Sequence, residues 1–146
     1  MHICLHDHRM QRLIGQVLDM SRIDGGMGLG MVLEPVDLSI LVEDVIDEAR
    51  MAYPAISYSF VNPGRTCVRA DGGRLAQVLS NLLSNARHHG EVGRPIAASL
   101  SADHGWAVLE VANAGAPIAP DVAASLFNPF KRSSLHNPRN RTGMGL

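Results

Sequence analysis

The sequence predicts an α+β domain, a two-layer sandwich in which helices cover one face of an antiparallel or mixed sheet, preceded by a separate helix. Three observations lead to this fold class. From residue 31 onward the patterns run strand, helix, strand, strand, helix, strand, strand, helix. Two of the helical patterns are apolar on one side only, so each needs a covering layer. Strands also follow one another without an intervening helix, which argues against an all-parallel sheet.

Composition and charge exclude several classes of protein. The chain has 146 residues, of which 46% are hydrophobic and 18% charged, a balance typical of globular domains. The formal net charge of −1 gives no reason to expect contact with nucleic acid or a membrane surface. Its two cysteines, Cys4 and Cys67, form no disulfide framework. Since no apolar run approaches the roughly 20 residues of a membrane span, we expect a cytoplasmic domain.

The first segment predicts a helix that belongs to a separate module. The pattern over residues 8–23 is amphipathic with a narrow apolar stripe, which suits packing against another helix in a homodimer. The glycine-rich run at 24–30 ends it. We therefore expect two modules, residues 1–26 and 27–146. The apolar stripe consists of Met10, Leu13, Ile14, Val17 and Leu18.

The second module predicts the remaining elements in order. A strand-like run at 31–37 leads to Asp37, which is typical of an N-cap, and a helix should extend from there to about Ala52. Tyr53 and Pro54 end it, because proline disfavours helix in the residue before it. Further strands are predicted at 56–61, 66–70, 95–101 and 106–113, a short helix at 120–126, and an aperiodic basic loop at 131–142.

The central element is a helix predicted from Asp71 to Gly90, with Asp71 as its N-cap. Asn81 and Asn85 are four residues apart, so both amides lie on the same side of it. Asparagine is unfavourable in the interior of a helix, because its amide competes for backbone hydrogen bonds. The pair therefore indicates a function, with a solvated helix face as the alternative interpretation. Apolar residues spaced three and four apart should form the buried face: Leu75, Val78, Leu79, Leu82 and Leu83.

Three short motifs follow this helix. The strand at 106–113 runs into VANAGAPI (111–118), LFNPFKR (126–132) contains two aromatic and two basic residues, and the chain ends on GMGL (143–146). Each motif alone is weak, since glycine turns are common. In order and spacing, however, these motifs and NLLSNARHHG resemble the asparagine, glycine and phenylalanine boxes of the ATP-binding catalytic domain of sensor histidine kinases. That family belongs with gyrase, Hsp90 and MutL.

The resemblance extends from about Met31 to the end of the chain. The preceding HRMQRLIGQVLDMSRIDGG resembles the second helix of the dimerisation and histidine-phosphotransfer hairpin, and NAGAPIAPDVAASLFNPF is similar to bacteriophytochrome-like kinases. The implied fold is the Bergerat-type ATP-binding fold, here incomplete at its C-terminal end. The implied cofactors are ATP and Mg²⁺. The residues that the resemblance assigns to nucleotide binding are Asn81, Asn85, His88, His89, Asn113, Gly115, Ile118, Lys131, Arg132, Gly143 and Gly145.

The resemblance also implies individual roles. Asn85 would hold Mg²⁺ through its amide oxygen, an atom type that this hard cation accepts, and Asn81 would lie beside the phosphates. His88 stands where the family often has a lysine near the terminal phosphate, and His89 where an aromatic residue commonly packs. Asn113 replaces the aspartate that accepts the adenine amino group, and its amide oxygen is also an acceptor.

The implied function is transfer of the ATP γ-phosphoryl group to a histidine outside this chain, and then to an aspartate of a response regulator receiver domain. No catalytic residue is expected within the chain. A related clamp ATPase is disfavoured because Gln77 and Ser80 occupy the positions of its catalytic glutamate. A dimerisation or interaction module that has lost nucleotide binding remains the other alternative, favoured by Asn113 and the short C-terminal end.

Two N-terminal patterns suggest other functions and are disfavoured. One pattern is the alternation of His2, Cys4, His6 and His8, a spacing that places metal ligands on one face of a strand. These residues lead directly into a helical pattern, however, which would scatter them. His6 to Arg9 imitates the start of a phosphoacceptor box. Met10 and Gln11 do not continue it, so we expect the phosphoacceptor histidine to be absent.

Overall fold

The computed structural model describes residues 30–123. Within that range each predicted helix and strand is present. Most of their ends lie within three residues of the predicted bounds. The elements are β1 (Glu34–Asp37), α1 (Leu38–Ala52), β2 (Tyr58–Val61), β3 (Cys67–Ala70), α2 (Gly72–His89), β4 (Ile96–Asp103), β5 (Trp106–Asn113) and α3 (Pro120–Ala123).

The described strands form two sheets. The larger has the order β2-β4-β5, in which β2 is parallel to β4 and β4 is antiparallel to β5. The smaller pairs β1 with β3 in antiparallel fashion. The larger sheet is therefore mixed, and with its helices it confirms the predicted α+β class.

Local sequence explains the turn between β4 and β5. His104 and Gly105 both have positive φ, +46° and +83°. A two-residue hairpin turn in which both central residues have positive φ matches the twist of the flanking strands. The turn fixes the register from Asp103 opposite Trp106 to Ile96 opposite Asn113. Asn113, the last residue of β5, therefore lies beside the first residue of β4, at one end of these two strands.

The core lies between the two long helices and one face of the larger sheet. Alternate residues of β4 are buried while their neighbours are partly or fully exposed, as in a sheet covered on one side. Leu79 of α2 and Val42 of α1 are both fully buried, at 0% exposure. The main core cluster comprises Val42, Val45, Ile46, Tyr58, Leu79, Leu83, Ala86, Ile96 and Ala98.

Both long helices begin at the residues that the sequence indicates. Asp37 accepts the backbone N–H of Ser39 at 3.0 Å, and Asp71 accepts that of Arg74 at 3.0 Å. Each carboxylate satisfies a donor that the first helical turn leaves unpaired. Gly90 follows the last residue of α2, and its N–H donates to the Ala86 carbonyl at 2.8 Å. The bounds of the asparagine-bearing helix are therefore set by its caps.

The predicted buried face of α2 is partly wrong. Leu79 and Leu83 are buried, but Val78 is 52% exposed and Leu82 is 39% exposed. Positions 78, 81, 82 and 85 lie on one side of a helix. The two apolar residues therefore share the side of the asparagine pair instead of the side that packs on the core.

Several predictions fall outside the described residues. They include the separate helix at 8–23, the module boundary near Gly26, the basic loop at 131–142 and the terminal glycine pair. Within residues 30–123, no helix combines the length and the apolar content needed to cross a bilayer.

Candidate functional site

Helix α2 carries the two asparagines one turn apart. Asn81 is half-buried and Asn85 is exposed. Among the described residues, no group donates to or accepts from the Asn85 amide. The amide oxygen of Asn85 is therefore available to a ligand from solvent, as a metal contact requires.

The end of α2 lies against the turn that follows β5. The Glu91 N–H donates to the Ala114 carbonyl at 2.8 Å. A Cβ atom added to Gly115 would come within 2.9 Å of the His89 carbonyl oxygen. Only glycine allows two backbones to approach this closely. This contact places the end of the asparagine helix beside the glycine motif, although the two are far apart in the sequence.

Asn113 is the last residue of β5 and is exposed. Its amide nitrogen donates to the Ala114 carbonyl at 3.2 Å. A Cβ on either Gly90 or Gly115 would lie 3.4 Å from that nitrogen. The side chain thus lies between two glycines, where the helix end and the turn meet.

The His88 ring is bonded to its own helix. Nδ1 lies 2.6 Å from the Ser84 carbonyl oxygen, and Nε2 lies 3.4 Å from Nη2 of Arg87. Because a carbonyl can only accept, Nδ1 carries the hydrogen and Nε2 of the neutral ring is an acceptor. In this conformation a neutral His88 has no remaining donor for a phosphate.

Arg87 is a contact residue that the sequence did not single out. Its guanidinium lies 4.1 Å from the centre of the Tyr53 ring, which joins the end of α2 to the end of α1. Beside this pair, burial raises the pKa of Tyr58, and Nη2 of Arg50 donates to the Tyr58 carbonyl at 3.1 Å. Nothing in the spacing of Tyr53 and Arg87 predicts their contact.

The remaining predicted site residues are placed as follows. His89 is exposed, and its carbonyl faces Gly115. Ile118 is 56% exposed. Among residues 30–123, no three His, Cys, Asp or Glu side chains cluster closely enough to hold a metal. The other predicted contacts lie outside the described residues: Lys131, Arg132, Gly143 and Gly145.

Gly90, Glu91 and Ala114 lie in the candidate site, but sequence reasoning assigned none of them a contact there. Gly90 carried a signal, because glycine is common just after a helix, but that signal indicates a cap and not a neighbour of Asn113. Glu91 and Ala114 act through backbone atoms, which carry no signature in the sequence.

The family model of histidine kinase-, DNA gyrase B- and HSP90-like ATPases matches residues 70–146. The match begins at Ala70, the last residue of β3, and includes α2 and the glycine turn after β5. The chain belongs to this ATPase family. Its membership confirms the resemblance drawn from the asparagine and glycine motifs.

Similar proteins include a bacteriophytochrome and a probable sensor histidine kinase. The chain is 41% identical over 145 residues to a bacteriophytochrome of Pseudomonas aeruginosa, a match that covers 99% of the chain and 20% of that protein. It is 33% identical over 141 residues to the probable sensor histidine kinase TcrY of Mycobacterium tuberculosis, covering 94% of the chain and 29% of that protein. The chain thus spans less than a third of each relative's length.

A solved structure shows the same fold. The histidine kinase ThkA, in complex with the response regulator TrrA, superposes with a TM-score of 0.68 over 87% of this chain and 37% of that one, at 24% identity. The mixed sheet and the two long helices of the ATPase domain therefore match a histidine kinase fold.

Proposed function

We propose that this ATPase domain binds Mg-ATP and serves as the catalytic domain of a sensor histidine kinase. It would supply the γ-phosphoryl group to a histidine outside the chain, from which an aspartate of a response regulator receives it. The observation that carries the proposal is the backbone contact between Glu91 and Ala114, at 2.8 Å. That contact holds the asparagine helix beside the glycine turn, and a nucleotide needs both.

The phosphate end of the proposed site is the asparagine side of α2. Asn85 would hold Mg²⁺ through its exposed amide oxygen, and Asn81 would contact the phosphates. Mg²⁺ usually keeps several water ligands and binds phosphate oxygens of the substrate, so a single amide ligand from the protein is enough. When bound, the ion neutralises charge on the phosphates, which is the main requirement of phosphoryl transfer.

The base end of the proposed site is the turn after β5. Gly115 lets the backbone approach the purine ring, and Asn113 offers an acceptor to it. His89 and Ile118 are exposed beside this turn and would contact the nucleotide. A site with polar groups at both ends positions its ligand, and positioning accounts for much of the rate of such reactions.

Further contacts are proposed by match to the family's motifs. Lys131 and Arg132 would offset phosphate charge, and Gly143 and Gly145 would close over the phosphates with backbone N–H groups. His88 would reach a phosphate only after leaving the Ser84 carbonyl or gaining a second proton, because its one donor is used at 2.6 Å.

The proposed partner is a response regulator receiver domain. ThkA is seen in complex with the response regulator TrrA, which supports the same kind of partner for a chain of the same fold. Dimerisation through the predicted helix at 8–23 and a cytoplasmic location remain predictions.

Titration calorimetry with Mg-ATP tests nucleotide binding. We expect the wild-type protein to bind and Asn85→Ala to bind at least about tenfold more weakly, which corresponds to a lost interaction of about 1.4 kcal/mol. Glu48→Ala, at an exposed position of α1, is the control and should bind as the wild type does. Negligible binding by all three would favour the interaction-module alternative.

Transfer is tested separately with the full-length protein and γ-labelled ATP. The label should enter the protein in an acid-labile, base-stable form, because a phosphorylated histidine carries a phosphorus–nitrogen bond. A receiver domain added afterwards should then take up the label. Binding without any incorporation would leave an ATPase domain that does not act as a kinase.

A further inference from the structure

We propose that Arg87, held against the ring of Tyr53, is a positioning residue for His88. Arg87 keeps the His88 ring on its own helix and so withholds the only donor of the neutral ring from the phosphates of a nucleotide. The inference rests on the proposed nucleotide binding and deepens it, because it states when His88 can contact the ligand.

Both ring nitrogens of His88 have a polar neighbour. Nδ1 lies 2.6 Å from the Ser84 carbonyl oxygen and 3.4 Å from the Ser84 hydroxyl oxygen. Nε2 lies 3.4 Å from Nη2 of Arg87. The ring is half-buried, and the protein itself supplies a partner to each of its polar atoms.

The two neighbours require the same tautomer of the ring. A carbonyl oxygen only accepts, so Nδ1 carries the hydrogen that the Ser84 carbonyl receives. A guanidinium only donates, so Nε2 presents its lone pair to Arg87. The opposite tautomer would set a lone pair against the carbonyl oxygen and one N–H against another. A neutral His88 in this position therefore has no donor left for a third group.

The contact between Arg87 and His88 does not follow from helix geometry. Residues four apart, such as Ser84 and His88, face each other on a helix, whereas successive residues do not. The bond of Nδ1 to the Ser84 carbonyl is therefore local to α2. The approach of the guanidinium to Nε2 needs a contact from outside that helix.

Tyr53 provides the outside contact. The guanidinium carbon of Arg87 lies 4.1 Å from the centre of the Tyr53 ring, a cation–π arrangement that is attractive at this distance. Burial raises the pKa of the neighbouring Tyr58, and the positive charge of Arg87 acts against this rise. Because Tyr53 is the C-cap of α1, the position of the His88 ring depends on the end of another helix.

Nitrogen NMR of the histidine rings tests the tautomer directly. A ring nitrogen that carries hydrogen and one that carries a lone pair differ widely in chemical shift, and His88→Ala identifies the signals of this residue among the 7 histidines. At mildly alkaline pH, where histidine side chains are ordinarily neutral, we expect hydrogen on Nδ1 of His88. In Arg87→Leu, which removes the donor to Nε2, we expect a mixture of both tautomers.

A double-mutant cycle on Mg-ATP affinity tests the withheld donor. Titration calorimetry compares the loss of affinity caused by His88→Ala in the wild type with the loss that it causes in Arg87→Leu. The loss should be about fivefold larger in Arg87→Leu, because a released His88 can donate one hydrogen bond to a phosphate. The ratio of the two losses cancels the direct effect of removing the charge of Arg87.

Four further backgrounds identify the contact that matters. Tyr53→Leu removes the aromatic face and should enlarge the loss as Arg87→Leu does. Arg87→Lys retains a cation that donates, and Tyr53→Phe retains the ring, so both should give the wild-type loss. Arg50→Leu is the matched control, since this arginine donates to the Tyr58 carbonyl, and it should also give the wild-type loss.

The outcomes separate this inference from the proposed function. Hydrogen on Nε2 of neutral His88 in the wild type, a tautomer that Arg87→Leu leaves unchanged, or equal losses of affinity in the two backgrounds would overturn the inference and leave nucleotide binding intact. An equally enlarged loss in Arg50→Leu would assign the effect to charge alone and overturn it as well. Binding of Mg-ATP by none of the proteins would reject the proposed function, and the NMR measurement would still decide whether Arg87 holds the ring.

Discussion

Asp71 joins two parts of the chain with a single carboxylate. One oxygen accepts the N–H of Arg74 at 3.0 Å, and the other accepts the N–H of Val32 at 3.1 Å, 39 residues earlier. The first of these hydrogen bonds, followed by the second, holds the pKa of Asp71 below its ordinary value of 3.8. The same residue therefore begins the asparagine helix and fastens the segment that precedes β1.

Asp71 is expected to contribute to acid unfolding. Its pKa is lower in the folded chain, so ionised Asp71 stabilises the fold above the ordinary value of 3.8, and this contribution is lost as pH falls through the folded pKa. Asp71→Asn should therefore have a lower melting temperature than the wild type at pH 7. The two melting temperatures should begin to converge as pH falls below 3.8 and should meet once pH is below the lower, folded pKa of Asp71.

Thermal unfolding followed by circular dichroism at several pH values measures both effects. Glu48→Gln, an exposed substitution on α1, should follow the wild type throughout. A gap between wild type and Asp71→Asn that stays constant from neutral to acid pH would contradict the role of the ionised carboxylate.

At the scale of elements, neighbouring positions of α2 differ sharply in burial. Leu79 is 0% exposed within the core and Val78 is 52% exposed. Leu79→Ala should lower the free energy of unfolding by about 2–5 kcal/mol, because it removes buried methyl groups and leaves a cavity. Val78→Ala should change it by about 0.5 kcal/mol or less. Urea denaturation measures both, and similar losses for the two variants would contradict the packing of α2.

The helices were predictable because their signals are local. Asp37 and Asp71 mark the starts, and Gly90 marks an end, through hydrogen bonds within a few residues of each cap. The breadth of the buried face was not predictable in the same way. Val78 and Leu82 fit the helical spacing. Which apolar residues of α2 are buried, however, depends on how much of the helix the larger sheet and α1 cover.

At the scale of the whole molecule, pairing between distant strands limits what a sequence reveals. The sequence allowed an antiparallel or a mixed sheet, and β2 pairs with β4 in parallel although β3 and α2 lie between them. Such a pair has no turn signal, since a crossover connects it. The same limit applies to predicting the candidate site from the sequence. Asn85 and Asn113 could be found from motifs, whereas the contact of Glu91 with Ala114 required the fold.

The proposed site should also link nucleotide binding to the stability of the whole domain. A ligand that binds only the folded chain stabilises it by about 2.7 kcal/mol at a hundred times its Kd. Mg-ATP should therefore raise the melting temperature, and replacing Mg²⁺ with a chelator should remove most of the rise if Asn85 holds the ion.

A variant and a control test the role of Asn85 in this effect. In Asn85→Ala the difference in melting temperature between Mg²⁺ and chelator should shrink, while in Glu48→Ala it should equal that of the wild type. Differential scanning fluorimetry with ATP, with and without chelator, makes the comparison. A rise that the chelator leaves unchanged in the wild type would show that the nucleotide binds without a metal at Asn85.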